Sequence, residues 1–266
     1  MRPYARLRVG RIVALGVGVW LRRSLQIHAV TALCLAPLVL FSSPPDPFDD
    51  GTIVGLFGLY ATAWGAAVEI SGGPGIFRNL TVAYLAQFAV TVILVRDAHR
   101  RLAGRAPRCG LLAILGLAFL AILGLAVFAV LDSVVAAGFA SDTALPALLA
   151  IAVTVAEAFL GATFWLALPA AAVDGHGAFA ALGRARLLAH GSRFPVAVLI
   201  ILLVFLQWVM MIPLGFLAGS LDTQWLFAVP AFLFLTLKAC VLAAAHHEAC
   251  FRKEGAGTED LTAVFA

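Results

Sequence analysis

The stretch QWLFAVPAFLFLTLKACVLAAAHHEACFRKEG, residues 224–255, decides the class of fold. It begins with about twenty mostly apolar residues, which form about 30 Å of helix at 1.5 Å per residue. That length matches the hydrocarbon core of a bilayer. The stretch then becomes polar and basic. We therefore predict a membrane-spanning helix over 224–248, followed by a cytoplasmic tail over 249–266.

Basic residues are distributed unevenly along the whole chain. Sixteen of the 18 Lys and Arg residues lie in four clusters, at 2–23, 96–108, 184–193 and 252–253. The linkers midway between these clusters carry acids and no basic residue. Because basic loops stay on the cytoplasmic side of a membrane, whereas acids have little effect, this alternation predicts a polytopic protein with both termini in the cytoplasm.

The composition excludes an ordinary soluble domain. Of the 266 residues, 63% are hydrophobic and 12% are charged, which is typical of membrane proteins. The length holds about six spans of roughly 20 residues each. The net charge of +4 does not indicate nucleic acid, because the basic residues lie at span ends, where anionic headgroups attract them. We expect membrane lipids as partners, with a protein partner at the cytoplasmic face as a further candidate.

We predict an all-α bundle of six transmembrane helices and an N-terminal amphipathic interfacial helix. The interfacial helix is placed at 5–23, where the apolar run is too short to cross; a cytoplasmic extension of the first span is the alternative. Its arginines share one face. Its predicted apolar face consists of Val13, Val17, Trp20 and Leu21. The six spans are placed at 24–41, 77–95, 110–131, 147–172, 195–217 and 224–248.

Residues 51–95 contain two apolar runs, which SGGPG at 71–75 separates. If both runs crossed, the ten basic residues of the last three clusters would face outside, against the positive-inside rule. We therefore predict that only the second run crosses. The first, 51–70, is predicted to be a re-entrant or surface helix. Glu69 near its end is either an additional polar group in the bundle interior or a loop-end residue.

Two stretches carry a family resemblance. The loop PAAAVDGHGAFAALGRARLLAHGSRF (169–194) contains a proline, an apolar run, a Val-acid-Gly step and an AL-x-x-(S/A)-R-x-L-x-x-G helix. The C-terminus AAAHHEACFRKEGAGTEDLTAVFA (243–266) is similar to a span end followed by YHxLRxxKEGxxxExLAxVFD. Together they resemble the membrane domain of glycerophosphoryl diester phosphodiesterases, which also occurs as stand-alone bacterial proteins of unknown role.

This resemblance implies a six-helix fold and residence in the bacterial inner membrane. The chain departs from the pattern at Asp174, which stands in place of Glu, at His246-His247 and at Ala266. It contains no phosphodiesterase domain, so the resemblance does not imply that activity. We predict a non-enzymatic protein that organises, senses or handles lipid or a membrane partner. The alternatives are a small transporter or channel and a lipid-modifying membrane enzyme.

Two charged residues lie in apolar segments at matching depth. Glu157 follows Asp142 by fifteen residues, and Lys238 follows Asp222 by sixteen, which is about 22 and 24 Å of helix. A lone charge near mid-bilayer costs at least ~2.5–3.5 kcal/mol. We predict that Glu157 and Lys238 pair, either to fix helix order or to form a transport path. A separation well beyond salt-bridge reach, without a cavity, would exclude both interpretations.

No catalytic residue, metal site or cofactor is predicted. His246 and His247 are adjacent and point about 100° apart, HHExxC lacks the HExxH spacing, and no third ligand is evident. His246 and Cys250, four residues apart, leave a two-ligand site open. A second amphipathic helix is predicted at 176–194, with Phe179 marking one turn. The predicted headgroup or partner contacts are Arg184, Arg186, Arg193, Arg252 and Lys253.

Overall fold

The structure is a computed structural model that describes residues 7–22, 76–104, 111–120, 161–203 and 228–254, together with residues 148, 152, 159, 205, 206 and 209. Within these residues the chain is helical and contains no strand, which confirms the predicted all-α class. The helices are α1 (Val9–Arg22), α2 (Ile76–Ala103), α3 (Leu111–Leu120), α4 (Gly161–Ala172), α5 (Ala178–Ala189), α6 (Arg193–Leu203) and α7 (Ala228–Glu254).

Five of the predicted spans overlap described helices, some of them only in part. These helices are α2, α3, α4, α6 and α7. Only α7, over Leu233–Lys253, is by itself long and apolar enough in its described part to cross a membrane. Helices α5 and α6 meet that criterion only as a pair, and they are bent by 103° relative to each other. The predicted segments 24–41 and 51–70 lie outside the described residues. The six-span count therefore stays a prediction.

Helix α7 is the axis of the described bundle. It packs against α1, α2, α4 and α5, and its side chains are buried on nearly every face from Phe234 to Ala249. Small residues make this possible, because they let neighbouring backbones approach closely. They are Ala239, Cys240, Ala243, Ala244 and Ala245. The helix also continues beyond residue 248 to Glu254. The predicted cytoplasmic tail over 249–266 thus begins within the helix, and its location stays a prediction.

Helix α1 lies antiparallel along α7. Near its start, Arg11 forms an ion pair with Glu248, with Nε and Oε2 3.2 Å apart. Near its end, Trp20 Nε1 donates a hydrogen bond to Thr236 Oγ1 at 2.9 Å. The earlier residue on α1 thus contacts the later residue on α7, and the reverse holds at the other end. The two contacts are separated by about three turns of helix. The two helices therefore share a long seam.

This seam corrects the predicted apolar face of the N-terminal helix. The helix exists, but its buried residues are Ile12 and Gly16, and Leu21 of the predicted apolar face is exposed. The interfacial orientation of the helix stays a prediction. Arg22 also lies about 20 Å along α1 from Arg8, which divides the first basic cluster between the two ends of the helix.

The predicted amphipathic helix at 176–194 is two elements. Helix α5 ends at Ala189, and Gly191, with φ 74°, turns the chain into α6. Phe179 is 78% exposed, and whether it lies along the inner leaflet stays a prediction. The buried face of α5 consists of small residues and one leucine, which allow close packing. They are Ala181, Ala185, Leu188 and Ala189.

Gly16 provides a test of the α1–α7 seam. A Cβ at Gly16 would lie 2.8 Å from Val241 Cα, whereas a Cβ at Gly18 would have no atom within 4 Å. We expect Gly16→Ala to lower the free energy of unfolding by about 1–3 kcal/mol, because the backbones must separate. Gly18→Ala gains the same helix propensity without a clash, so it should be neutral or stabilising by up to ~1 kcal/mol. Unfolding of the purified chain in detergent measures both, and equal stabilisation by the two substitutions would contradict the seam.

Candidate functional site

Polar side chains collect around the last turns of α7 in what we call the polar layer. They come from four separate parts of the sequence and include residues of all four basic clusters or their immediate neighbours. The polar layer consists of Arg11, His99, Asp174, Arg184, His246, Glu248, Cys250, Arg252 and Lys253. Arg22 of the first cluster lies at the other end of α1, so the prediction that all four basic clusters lie on one side of a membrane stays a prediction.

Glu248 is the buried acid of the polar layer. Its side chain is 1% exposed, and a carboxylate removed from water needs charged or hydrogen-bonding partners. Arg11 supplies one from α1, and Arg252, one turn along α7, donates from Nε to Oε1. The pairing holds the start of α1 against the end of α7. The sequence placed Arg252 among headgroup contacts; the structure gives it an intramolecular partner, and the headgroup contact stays a prediction.

Lys253 joins α7 to α5. Its ammonium group donates to the carbonyl oxygens of Leu187, at 3.4 Å, and of His190. The last carbonyls of a helix lack partners within the helix, and a lysine there satisfies them and the helix dipole. Lys253 is only 4% exposed, and its contact with a headgroup stays a prediction.

Of the other three predicted headgroup residues, two contact partners inside the protein and one is exposed. Arg184 is half-buried, with its Nε 3.8 Å from Asp174 Oδ2. The guanidinium carbon of Arg193 lies 5.3 Å from the centre of the Phe159 ring, within the range of a cation–π interaction. Both therefore have partners inside the protein. Arg186 is exposed, so its contact with a headgroup or partner stays a prediction.

Asp174, His246 and Cys250 converge within the polar layer. The Nε2 atom of the fully buried His246 lies 3.2 Å from Asp174 Oδ2 and 3.7 Å from Cys250 Sγ. All three donor atoms lie within 4.8 Å of one another. Gly175, with φ 73°, turns the chain directly after Asp174. Sequence reasoning noted the i, i+4 spacing on α7 but missed Asp174, which lies 72 residues from His246.

This arrangement differs from a nucleophilic triad. In such a triad the carboxylate and the nucleophile contact different nitrogens of the histidine. Here both approach Nε2 of His246, and Nδ1 is buried without a hydrogen-bond partner in the described part of the chain. The group can therefore tie the end of α4 to α7 through an Asp174–His246 hydrogen bond, or it can hold a cation.

Two ionisable groups here have shifted pKa values: Asp174, which belongs to the convergence, and its neighbour His99. Burial lowers the pKa of His99 to about 4, and the charges of His246 and His247 act in the same direction. His99 is therefore neutral near pH 7. Burial opposes ionisation of Asp174, but the hydrogen bond from His246 and the charges of His246 and Arg184 outweigh burial and lower its pKa. Asp174 is therefore a carboxylate near pH 7, close to a neutral imidazole.

Of the predicted intramembrane pair, only Lys238 lies within the described residues. Lys238 lies on α7 and is 5% exposed, as expected for a residue of the bundle interior. Glu157 and Glu69 lie outside the described residues. The Glu157–Lys238 pair, and a transport path through it, therefore stay predictions.

Comparison with known protein families, curated proteins and solved structures gives no match to this chain. The resemblance to the glycerophosphoryl diester phosphodiesterase membrane domain therefore stays a prediction. A function for this chain has to be inferred from its own geometry.

The contribution of the buried Glu248 to stability can be compared with that of an exposed acid. We expect Glu248→Gln to lower the free energy of unfolding by about 2–3 kcal/mol, because it removes the anion that Arg11 and Arg252 share. Asp97 is the matched control, since Arg101 contacts it from one turn away with N–O distances of 2.7 and 2.9 Å on the surface. Asp97→Asn should cost at most ~1 kcal/mol. Denaturant unfolding in detergent compares them, and equal costs would contradict a central role for Glu248.

Proposed function

We propose that the chain is a non-enzymatic integral protein of the bacterial inner membrane that gathers anionic lipid headgroups at its cytoplasmic end. Exposed apolar side chains support membrane integration. Leu112 on α3 is 85% exposed and Phe194 on α6 is 80% exposed, and further large apolar residues of both helices are exposed beside them. Contiguous apolar surface of this kind marks contact with lipid or a partner. Acyl chains would cover it in a bilayer.

The charge of the polar layer supports the headgroup assignment. Its acids, Asp174 and Glu248, are wholly or largely withdrawn from the surface and engaged with arginines. Exposed arginines lie within three residues of members of the polar layer, namely Arg8, Arg100 and Arg186. Arginine binds phosphate through a planar, bidentate fork, and anionic membrane surfaces attract each basic residue by about 1 kcal/mol. This outward-facing positive charge is the observation that carries the proposal.

The second candidate is a small transporter or channel, and the burial of Lys238 within α7 favours it. A charged group in the bundle interior is a functional candidate by default. Ion or proton flux into proteoliposomes that disappears in Lys238→Met would favour this class over the lipid-gathering one.

The lipid proposal predicts selective retention of anionic lipid. We expect Arg186→Gln to reduce the ratio of phosphatidylglycerol to phosphatidylcholine bound to the protein by about fivefold, which corresponds to about 1 kcal/mol per basic residue. Native mass spectrometry of protein released from nanodiscs containing equal amounts of both lipids measures this ratio. Arg101→Gln is the matched control, because Asp97 already neutralises Arg101. An unchanged ratio in Arg186→Gln, or an equal loss in both variants, would count against the proposal.

A further inference from the structure

We infer that Asp174, His246 and Cys250 form a binding site for one divalent transition-metal ion, with Zn²⁺ as the best-matched ion. The site goes beyond the proposed function and does not depend on it. Its donors are a carboxylate oxygen from the loop after α4 and an imidazole nitrogen and a thiol sulfur from α7. An ion bound there would link α4 to α7 inside the polar layer.

The distances between the donor atoms fit a tetrahedral ion. Zinc binds nitrogen and oxygen at about 2.0–2.2 Å and sulfur at about 2.3 Å, so its ligand atoms are about 3.3 Å (N to O) and 3.6 Å (N to S) apart. The corresponding distances here are 3.2 Å, between His246 Nε2 and Asp174 Oδ2, and 3.7 Å, between His246 Nε2 and Cys250 Sγ. Two of the three donor distances therefore match those around a zinc ion, and the third, from Asp174 to Cys250, is no more than 4.8 Å.

Hydrogen bonding alone accounts for this group less well. One imidazole nitrogen carries either one proton or one lone pair, so Nε2 of His246 bonds well with only one of its two neighbours. A cation placed among the three atoms would use all of them. It would also offset the negative charge of the Cys250 thiolate that forms when the thiol loses its proton to bind the ion.

The local sequence supplies these donors in the required places. His246 and Cys250 are one helical turn apart on the same face of α7, a spacing that zinc-binding helices use for two ligands. Imidazole and thiolate donors favour zinc over magnesium or calcium, which prefer oxygen. His99 is the nearest further imidazole, with its ring centre 5.6 Å from that of His246. It is the candidate for the fourth ligand.

The ion need not displace Arg184. The Arg184 Nε lies 3.8 Å from Asp174 Oδ2, and an ionised carboxylate has about four acceptor positions on its two oxygens. Asp174 can thus contact the metal and the guanidinium together. Such outer partners orient metal ligands, and their loss typically weakens binding 10–100-fold.

Cobalt substitution tests the site directly. The full chain, purified in detergent and treated with a chelator, is titrated with Co²⁺. We expect one Co²⁺ per chain, a tetrahedral visible spectrum and a thiolate-to-cobalt charge-transfer band, all removed by Zn²⁺. In Cys250→Ser the charge-transfer band should disappear. Cys250→Ser, His246→Ala and Asp174→Asn should each weaken Zn²⁺ binding at least about tenfold.

Two neighbours on α7 are matched controls. Cys240 is buried on the same helix, about 15 Å from Cys250 by helix rise, and His247 adjoins His246 but is not among the three converging donors. Cys240→Ser and His247→Ala should keep the band and its stoichiometry. The inference is overturned if the wild-type chain binds less than one Co²⁺ or gives no charge-transfer band, a result that does not depend on any variant folding. It is also overturned if the band persists in Cys250→Ser.

Discussion

The burial of Glu248 is the constraint on which the described structure depends. A carboxylate inside a helix bundle requires positive partners, and the chain provides Arg252 from the same helix and Arg11 from α1. Because Arg11 lies near the start of α1, this pairing fixes which end of α1 meets the end of α7. The hydrogen bond from Trp20 to Thr236 then closes the other end of the seam, and Gly16 allows the close approach between them.

Each side chain around the end of α7 makes a different connection. Glu248 faces α1, Lys253 faces the carbonyl end of α5, and His246 faces Asp174 after α4. Helix α7 thus contacts three neighbouring elements through buried side chains, while the arginines that are exposed lie on the neighbouring elements. A single layer can in this way be rigid within the protein and still offer positive charge to a membrane surface. The proposed metal site would lie in the interior of the polar layer. The proposed headgroup contacts would lie at its exposed edge.

The sequence predicted those features that depend on local pattern. Long apolar runs predicted helices at α2, α3, α4, α6 and α7, and the spacing of His246 and Cys250 indicated a shared helix face. Long-range features were not predictable in this way. The contribution of Asp174 depends on a turn 72 residues from His246, and the burial of Lys253 depends on where α5 ends. The break at Gly191, which divides the predicted helix 176–194 into α5 and α6, was also not predicted.

The direction of α1 along α7 is the central claim, and distances between spin labels test it most directly. Labels are placed at Leu21, and at either Leu237 or Phe251, in a chain whose native cysteines are replaced. The antiparallel seam predicts that the 21–237 distance is shorter than the 21–251 distance by roughly 15–20 Å, since positions 237 and 251 are fourteen residues apart on one helix. A 21–237 distance equal to or longer than the 21–251 distance would contradict the seam and the assembly of the polar layer around Glu248.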